Sequence, residues 1–141
     1  MTDTPKYKIR GIPAPLVDHF WKQCEPFVKR ALEHNTGEVV ATDIRDFCKE
    51  RLAQLWVVIE GEKIVGVCTT EIVNYPQKRH CRIFTLAGTG REWFPELDII
   101  LCAWARENGC QAIEAIVRKG FVPILVNYGG KHKYSTVVKE L

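Results

Sequence analysis

Cys81-Arg82-Ile83-Phe84-Thr85-Leu86, then Ala87-Gly88-Thr89-Gly90-Arg91, then the run 92–108 is the stretch whose reading decides the fold. Its first part is apolar, β-branched and aromatic, which predicts a strand. Trp93, Leu97, Ile100, Leu101 and Trp104 recur at helical spacing and predict an amphipathic helix over 92–108. Asn108-Gly109 supplies a left-handed C-cap, and Ala112-Ile113-Glu114-Ala115-Ile116-Val117 reads as a further strand. A strand, a helix and a strand in succession form a crossover, so the two strands are expected to lie parallel and the connection to be right-handed.

Upstream of this unit, Leu55-Trp56-Val57-Val58-Ile59 has strand character, Glu60-Gly61-Glu62 a tight turn, and Ile64 to Val73 strand character again. After a turn at Tyr75-Pro76-Gln77-Lys78 the chain enters the strand at Cys81, so three antiparallel strands form a meander. Strands are expected near 55–60, 63–74, 80–86 and 112–117. Earlier still, Leu16, Phe20, Cys24, Phe27, Val28, Ala31 and Leu32 predict a helix from about 15 to 34, started by Pro13 and Pro15 and stopped at Asn35-Thr36-Gly37. Pro26 is expected to kink or split it. Thr42 is the expected N-cap of a second helix, with Asp43 favourable to its dipole and Ile44, Phe47, Cys48 and Leu52 as its apolar stripe. Tyr7–Ile12 is a short extended candidate, 121–128 a short helix despite Pro123, and Tyr134–Leu141 a closing strand. The expected fold class is α/β (α+β): a mixed sheet flanked by helices, in the order (β)-α-α-β-β-β-α-β-α-β.

A chain of 141 residues fits one domain spanning 1–141. With 46% hydrophobic and 26% charged residues it has the composition of a globular protein, which excludes global disorder. The net charge of +3, with 17 acidic residues interleaved among the basic ones, makes nucleic acid an unlikely partner. No apolar run approaches the ~20 residues of a membrane span, and the first residues lack the apolar core of a signal peptide. A cytoplasmic protein with no membrane partner is therefore the expectation. Cys24, Cys48, Cys68, Cys81, Cys102 and Cys110 sit mostly in apolar stretches without a Cys-x-x-Cys pair, so reduced, buried thiols are expected. His19, His34, His80 and His132 are scattered, and no metal site is expected.

Backbone geometry suggests a ligand at one junction. A glycine loop feeding a helix N-terminus presents unpaired N–H groups and the positive end of a dipole, which suits phosphate. Gly88, Thr89, Gly90 and Arg91 are its candidates, while Glu92 places an anion where a pyrophosphate would lie. A plain connecting turn explains the same residues. The element order, together with this loop, resembles the GNAT superfamily of N-acetyltransferases. Within it, Ala53-Gln54-Leu55-Trp56-Val57-Val58, Thr70 to Arg79, Trp104 to Cys110 and the closing Val138-Lys139-Glu140-Leu141 resemble GNAT-like proteins of tailed bacteriophages and prophages, from about Pro13 onward.

The resemblance implies acetyl-CoA as cofactor, its pyrophosphate on the loop and its thioester in the splay between the two parallel strands. It places Phe84, Thr85, Leu86, Gly88, Thr89, Gly90 and Arg91 at the cofactor. It implies a small-molecule or protein amine as acceptor if the protein is an enzyme, and other bacteriophage particle proteins as partners if it is a non-catalytic virion or assembly component, in which case host cytoplasm or virion is its place. The chain departs from the family pattern Arg/Gln-x-x-Gly-x-Gly/Ala, since no basic residue opens Leu86-Ala87-Gly88-Thr89-Gly90. Leu125 falls where the family carries an acid tyrosine, and Tyr128 is the nearest one.

Acetyl transfer needs a neutral amine, and a lysine-like amine of pKa ~10.4 is mostly protonated near neutrality. A carboxylate in the acceptor cleft takes that proton. Glu71 is the candidate base, set in Thr69-Thr70-Glu71-Ile72-Val73, although a solvent-facing place in an alternating strand explains it equally. Tyr75 and His80 flank the same turn, and His80 suits a base near neutral pH. The oxyanion is expected to meet a backbone N–H near Phe84 or Thr85 if a bulge frees one. Trp21, Trp56, Trp93 and Trp104 read as core. Gln77-Lys78-Arg79-His80 with Arg82, and Lys131-His132-Lys133, read as small solvated basic patches.

Overall fold

Alternating burial along five strands builds the sheet: β1 (Tyr7–Ile12), β2 (Gln54–Glu60), β3 (Lys63–Asn74), β4 (Arg79–Gly88) and β5 (Ala112–Ala115). They lie side by side in chain order. The first three pairings are antiparallel, and β4 with β5 is parallel, so the sheet is mixed as expected. The structure is a computed structural model that describes residues 5–33, 37–117, 120 and 122–141. Four helices cover the sheet: α1 (Val17–Ala31), α2 (Ala41–Lys49), α3 (Phe94–Glu107) and α4 (Val122–Asn127). Among the described residues, no helix is long and apolar enough to cross a membrane.

Two cores follow from the pleat, which sends successive side chains to opposite faces. On one face Leu55, Val57 and Val67 meet Val17, Trp21, Cys24 and Val28 of α1 and Ile44 and Cys48 of α2. On the other, Trp56, Val58, Cys68 and Ile83 meet Trp93, Phe94, Leu97 and Leu101. Each such aliphatic side chain, fully buried, contributes about 1.5–3 kcal/mol. Trp93 is 3% exposed and packs against two glycines of the sheet, Gly66 and Gly88. A Cβ on Gly88 would meet its Cζ2 at 2.2 Å and the Val65 carbonyl at 2.9 Å. Gly88 is thus a strand residue whose lack of a side chain makes room for the indole, and β4 runs two residues beyond its expected end.

Several expectations are corrected. The α1 helix is unbroken through Pro26, which lies on its exposed side, where an unpaired backbone carbonyl is open to solvation. Its buried stripe is Val17, Trp21, Cys24 and Val28, whereas Leu16 is exposed. Asn35 and Thr36, the expected helix stop, lie outside the described residues. Thr42 is inside α2: Val40 is the N-cap, and its N–H donates to the Asp43 carboxylate at 2.9 Å. Leu52 follows α2 and is 60% exposed. Tyr134–Leu141 form no strand; Tyr134 and Val137 are 87% and 92% exposed. β-Branched residues need a neighbouring strand and a surface to pack on, and among the described residues this segment has neither.

All six thiols are free, with Cys24, Cys48, Cys68 and Cys81 buried. Burial pushes Cys24 up to about 12 and Cys48 and Cys81 up to about 11. At pH 8, a thiol reagent should modify Cys102 and Cys110 rapidly in the native protein and reach all six only in denaturant. Fast native modification of Cys24 or Cys68 would contradict this packing. Gly88→Ala should lower stability by about 2 kcal/mol through overpacking against Trp93, measured by denaturant unfolding.

Candidate active site

β4 is ten residues long, yet its parallel ladder with β5 runs only from His80↔Ala112 to Ile83↔Ala115. Beyond Ile83, among the described residues, β4 continues with β3 alone. The register with β3 jumps from Thr70↔Ile83 to Thr69↔Thr85, so Phe84 is the extra residue of a bulge. It lies where the sequence reading placed an oxyanion N–H on the condition that a bulge frees one, near Phe84 or Thr85. Thr85 is buried and shares a 2.6 Å hydrogen bond with the Thr69 hydroxyl. The Thr89 N–H donates to the Val65 carbonyl at 2.7 Å. By antiparallel alternation the main-chain groups of Leu86 and Gly88 then point away from β3, toward the gap. Arg30, in the last turn of α1, occupies that side: its Nη2 donates to the Gly88 carbonyl at 2.7 Å.

The chain leaves β4 through Thr89, Gly90 and Arg91, all exposed, and enters α3 after Trp93, whose Nε1–H donates to the Thr89 carbonyl at 3.0 Å. Gly90 has φ +69°, a left-handed conformation that glycine adopts without strain, and no atom lies within 4 Å of where its Cβ would be. The surface over it is open. Glu92 is held by Lys6 Nζ at 3.1 Å and the Tyr7 hydroxyl at 3.0 Å, and the Lys6 hydrogen bond, then that of Tyr7, lowers its pKa. The residues Leu86, Gly88, Thr89, Gly90 and Arg91 therefore form one edge from the gap to the start of α3, and this edge suits a phosphate-bearing ligand.

At the paired end of the ladder, on the face that carries α1, five polar side chains meet. Glu114 Oε1 accepts from the Tyr75 hydroxyl at 2.5 Å and pairs with His80 Nδ1 at 3.0 Å; its Oε2 accepts from Arg82 Nε at 3.1 Å. Arg82 Nη1 donates to Glu71 Oε1 at 3.0 Å. Glu71, Arg82 and Glu114 are each about a quarter exposed. The Tyr75 ring meets the His80 ring edge-on at 5.1 Å. Burial pushes the Glu114 carboxyl up, but the donations from Tyr75, Arg82 and His80 outweigh it and hold the pKa below the ordinary 4.5. Its hydrogen bond to Glu114 raises the Tyr75 hydroxyl pKa.

The structure thus brings Glu71 and Tyr75 together, and places Tyr128 elsewhere. Tyr128 follows α4 and packs edge-on against Phe94 at 4.7 Å, on the α3 face. Glu71 is neither the solvated strand residue nor an unengaged carboxylate; it is the partner of Arg82. His80 and Arg82 are both bonded to Glu114 and do not form a solvated basic patch, while Lys131, His132 and Lys133 are exposed. Glu114 and Arg30 escaped the sequence reading. Glu114 sat in the middle of an apolar strand, a polar intrusion that was the available signal; Arg30 had none. Because the folded state holds Glu114 ionised, the network's contribution to stability is complete above pH ~4.5 and is lost as pH falls through the lowered folded pKa. Glu114→Gln should flatten the acid limb of an unfolding-versus-pH series, and an unchanged limb would show that the network is energetically idle.

No protein-family model and no curated protein matches the sequence. Solved structures match its fold. An aminoglycoside acetyltransferase from an uncultured soil metagenomic sample, solved with sisomicin, superposes with TM-score 0.72 at 14% identity over 96% of this chain and 97% of that one. A predicted acetyltransferase from Clostridium acetobutylicum, solved with acetyl-CoA, gives 0.69 at 14% identity over 95% and 96%. Ribosomal-protein-alanine N-acetyltransferase from Brucella melitensis gives 0.70 at 10% identity over 96% and 99%. The chain has the acetyltransferase fold over nearly its whole length.

Proposed function

We propose that the protein is an acetyl-CoA-dependent N-acetyltransferase whose acceptor is a small-molecule or protein amine. The observation that carries this reading is the departure of β4 from β5 after Ile83↔Ala115, with a bulge at Phe84, leading into an open positive-φ glycine and the start of α3. Such a gap lets outward-facing main-chain groups of β4 pair with a ligand's amide groups as a strand would. Leu86 would bond the pantetheine arm, and the N–H groups of Gly90 and Arg91 the pyrophosphate. Acetyl-CoA, bound there, supplies an activated acetyl thioester. Arg30 and Arg91 provide cations near the loop, and the missing basic residue of the family pattern is replaced from α1. The acceptor end carries Glu71 and Glu114 against the single guanidinium of Arg82, a net negative face that favours an ammonium group. Related folds solved with acetyl-CoA and with an aminoglycoside support the same reading.

The place of Tyr128 against Phe94 favours a second reading, in which the fold is kept without catalysis as a bacteriophage particle or assembly component. Calorimetric titration separates the two. Saturable binding of acetyl-CoA is expected, weakened about tenfold, or ~1.4 kcal/mol, by Arg30→Ala. Because Gly90 needs a positive φ, Gly90→Val disturbs both turn and cradle. Gly90→Asn retains the left-handed turn and tests the cradle alone. No heat at about 1 mM acetyl-CoA, where binding is worth only ~4 kcal/mol, would end the acetyltransferase reading.

A further inference from the structure

We propose that the protein binds a small aromatic carboxylate in a cavity at the start of β2, between the end of α2 and α3. The site is separate from the one above and does not depend on the acetyltransferase reading. The cavity measures about 300 Å³, at the small end of ligand pockets, which suits a molecule of one or two fused rings. Trp56 and Trp104 line it, their rings edge-on at 5.4 Å. Gln54 also lines it, and Arg51 is the one charged residue of its lining among the described residues. The glycine loop is at the other end of the strands: Gly88 aligns through Gly66 with Val58, which is four residues along β2 from Gln54. Trp56 and Trp104 belong to the core under α3, whereas Glu71, Arg82 and Glu114 are on the face that carries α1.

Arg51 takes its place at a cost. The helix α2 ends in a Schellman turn, in which the Leu52 N–H donates to the Phe47 carbonyl at 2.9 Å and the Arg51 N–H to the Cys48 carbonyl at 3.3 Å. Such a turn needs a left-handed residue after the cap, and Arg51 has φ +64°. Glycine adopts that conformation without strain, and a residue with a Cβ does not. Among the described residues, Arg51 is the one non-glycine residue with a positive φ. The turn is therefore better served by glycine. What glycine lacks is the side chain, and that side chain is the cation of the cavity, with no ion pair among the described residues.

Gln54 adds the second donor. Trp56 Nε1–H donates to the Thr70 hydroxyl at 3.0 Å, and that hydroxyl donates to Gln54 Oε1 at 2.9 Å. The amide oxygen is thereby engaged, and Nε2 has no partner among the described residues. The N–H groups of Arg51, Leu52 and Ala53 are taken by the carbonyls of Cys48 and Phe47. One guanidinium and one amide N–H₂ remain, which match the two oxygens of a carboxylate. A phosphate dianion fits less well, because it meets a single cation and the negative end of the α2 dipole. Cys48, also on the lining, is buried, and burial pushes its thiol up to about 11, so it adds no competing charge near neutrality. The two indoles supply the aromatic surface on which a ring packs edge-on or offset.

The probe is 2-naphthoate, followed by calorimetry and by the indole N–H resonances of the wild type. Saturable binding with Kd below about 1 mM is expected, moving the signals of Trp56 and Trp104 and leaving that of Trp93 in place. Arg51→Gly removes the cation and relieves the backbone at once. It should raise the thermal midpoint while weakening naphthoate by about tenfold or more. Gln54→Glu keeps an oxygen for Thr70 and replaces the donor with a charge, and it should weaken binding by a similar factor. The uncharged 2-naphthamide should bind about tenfold more weakly than naphthoate, and Arg30→Ala should leave naphthoate affinity within about twofold of wild type. An Arg51→Gly protein that is folded and binds naphthoate as the wild type does overturns the proposal. So do the absence of saturable binding at about 1 mM, loss of binding in Arg30→Ala, and tighter binding of 2-naphthyl phosphate than of naphthoate.

Discussion

β5 is four residues long beside a ten-residue β4, and that mismatch governs the molecule. Main-chain groups that lose one strand partner must find another. At Gly88 the substitute is the Arg30 guanidinium; at Phe84 the strand takes a bulge. A strand supported on one side stays in place because both its faces are packed. Thr85 is buried under α1 with its hydroxyl on Thr69, and Trp93 fills the opposite face against Gly66 and Gly88. Among the described residues the gap is therefore framed by packed side chains on both faces of β4.

The two ends of β4 are electrostatically different. Where the ladder is intact, Glu71, Arg82 and Glu114 tie β3, β4 and β5 together in a line of alternating charge across the strands. Glu114 takes hydrogen bonds from three residues at a quarter exposure, which is why its proton is hard to restore despite burial. Where the ladder has ended, Arg30 and Arg91 stand beside exposed N–H groups. One end suits a cation and the other an anion, and the fold supplies that polarity through sheet register.

Local signals made the elements legible. Gly61 between two strand-like runs and Asn108-Gly109 after an amphipathic helix marked turns that the structure keeps, with Gly61 and Gly109 at positive φ. Signals that depend on a distant partner were read less well. Tyr134–Leu141 has strand composition, but composition does not say whether an edge is offered to it. The site was half visible for the same reason. Glu71, Tyr75 and His80 are near one turn and could be grouped along the chain, whereas Glu114 reaches them only through the parallel register Arg82↔Glu114. Arg30 is 58 residues from Gly88, and no periodicity in α1 distinguishes it from a solvated arginine.

Glu92 shows how tertiary pairing changes the sign of a local argument. Read alone, a carboxylate at the start of a helix competes with a phosphate for the same dipole and the same N–H groups. In the fold it faces the start of β1, where Lys6, just ahead of the strand, and Tyr7 hold it. A paired charge acts on a third charge as a dipole, whose field falls faster with distance than that of a single ion, and surrounding water screens it further. Arg30 and Arg91 remain as the nearby cations without an acidic partner among the described residues, so the loop meets an anion with a net positive surface. The residue that argued most directly against a phosphate ligand is accordingly the one that Lys6 neutralises.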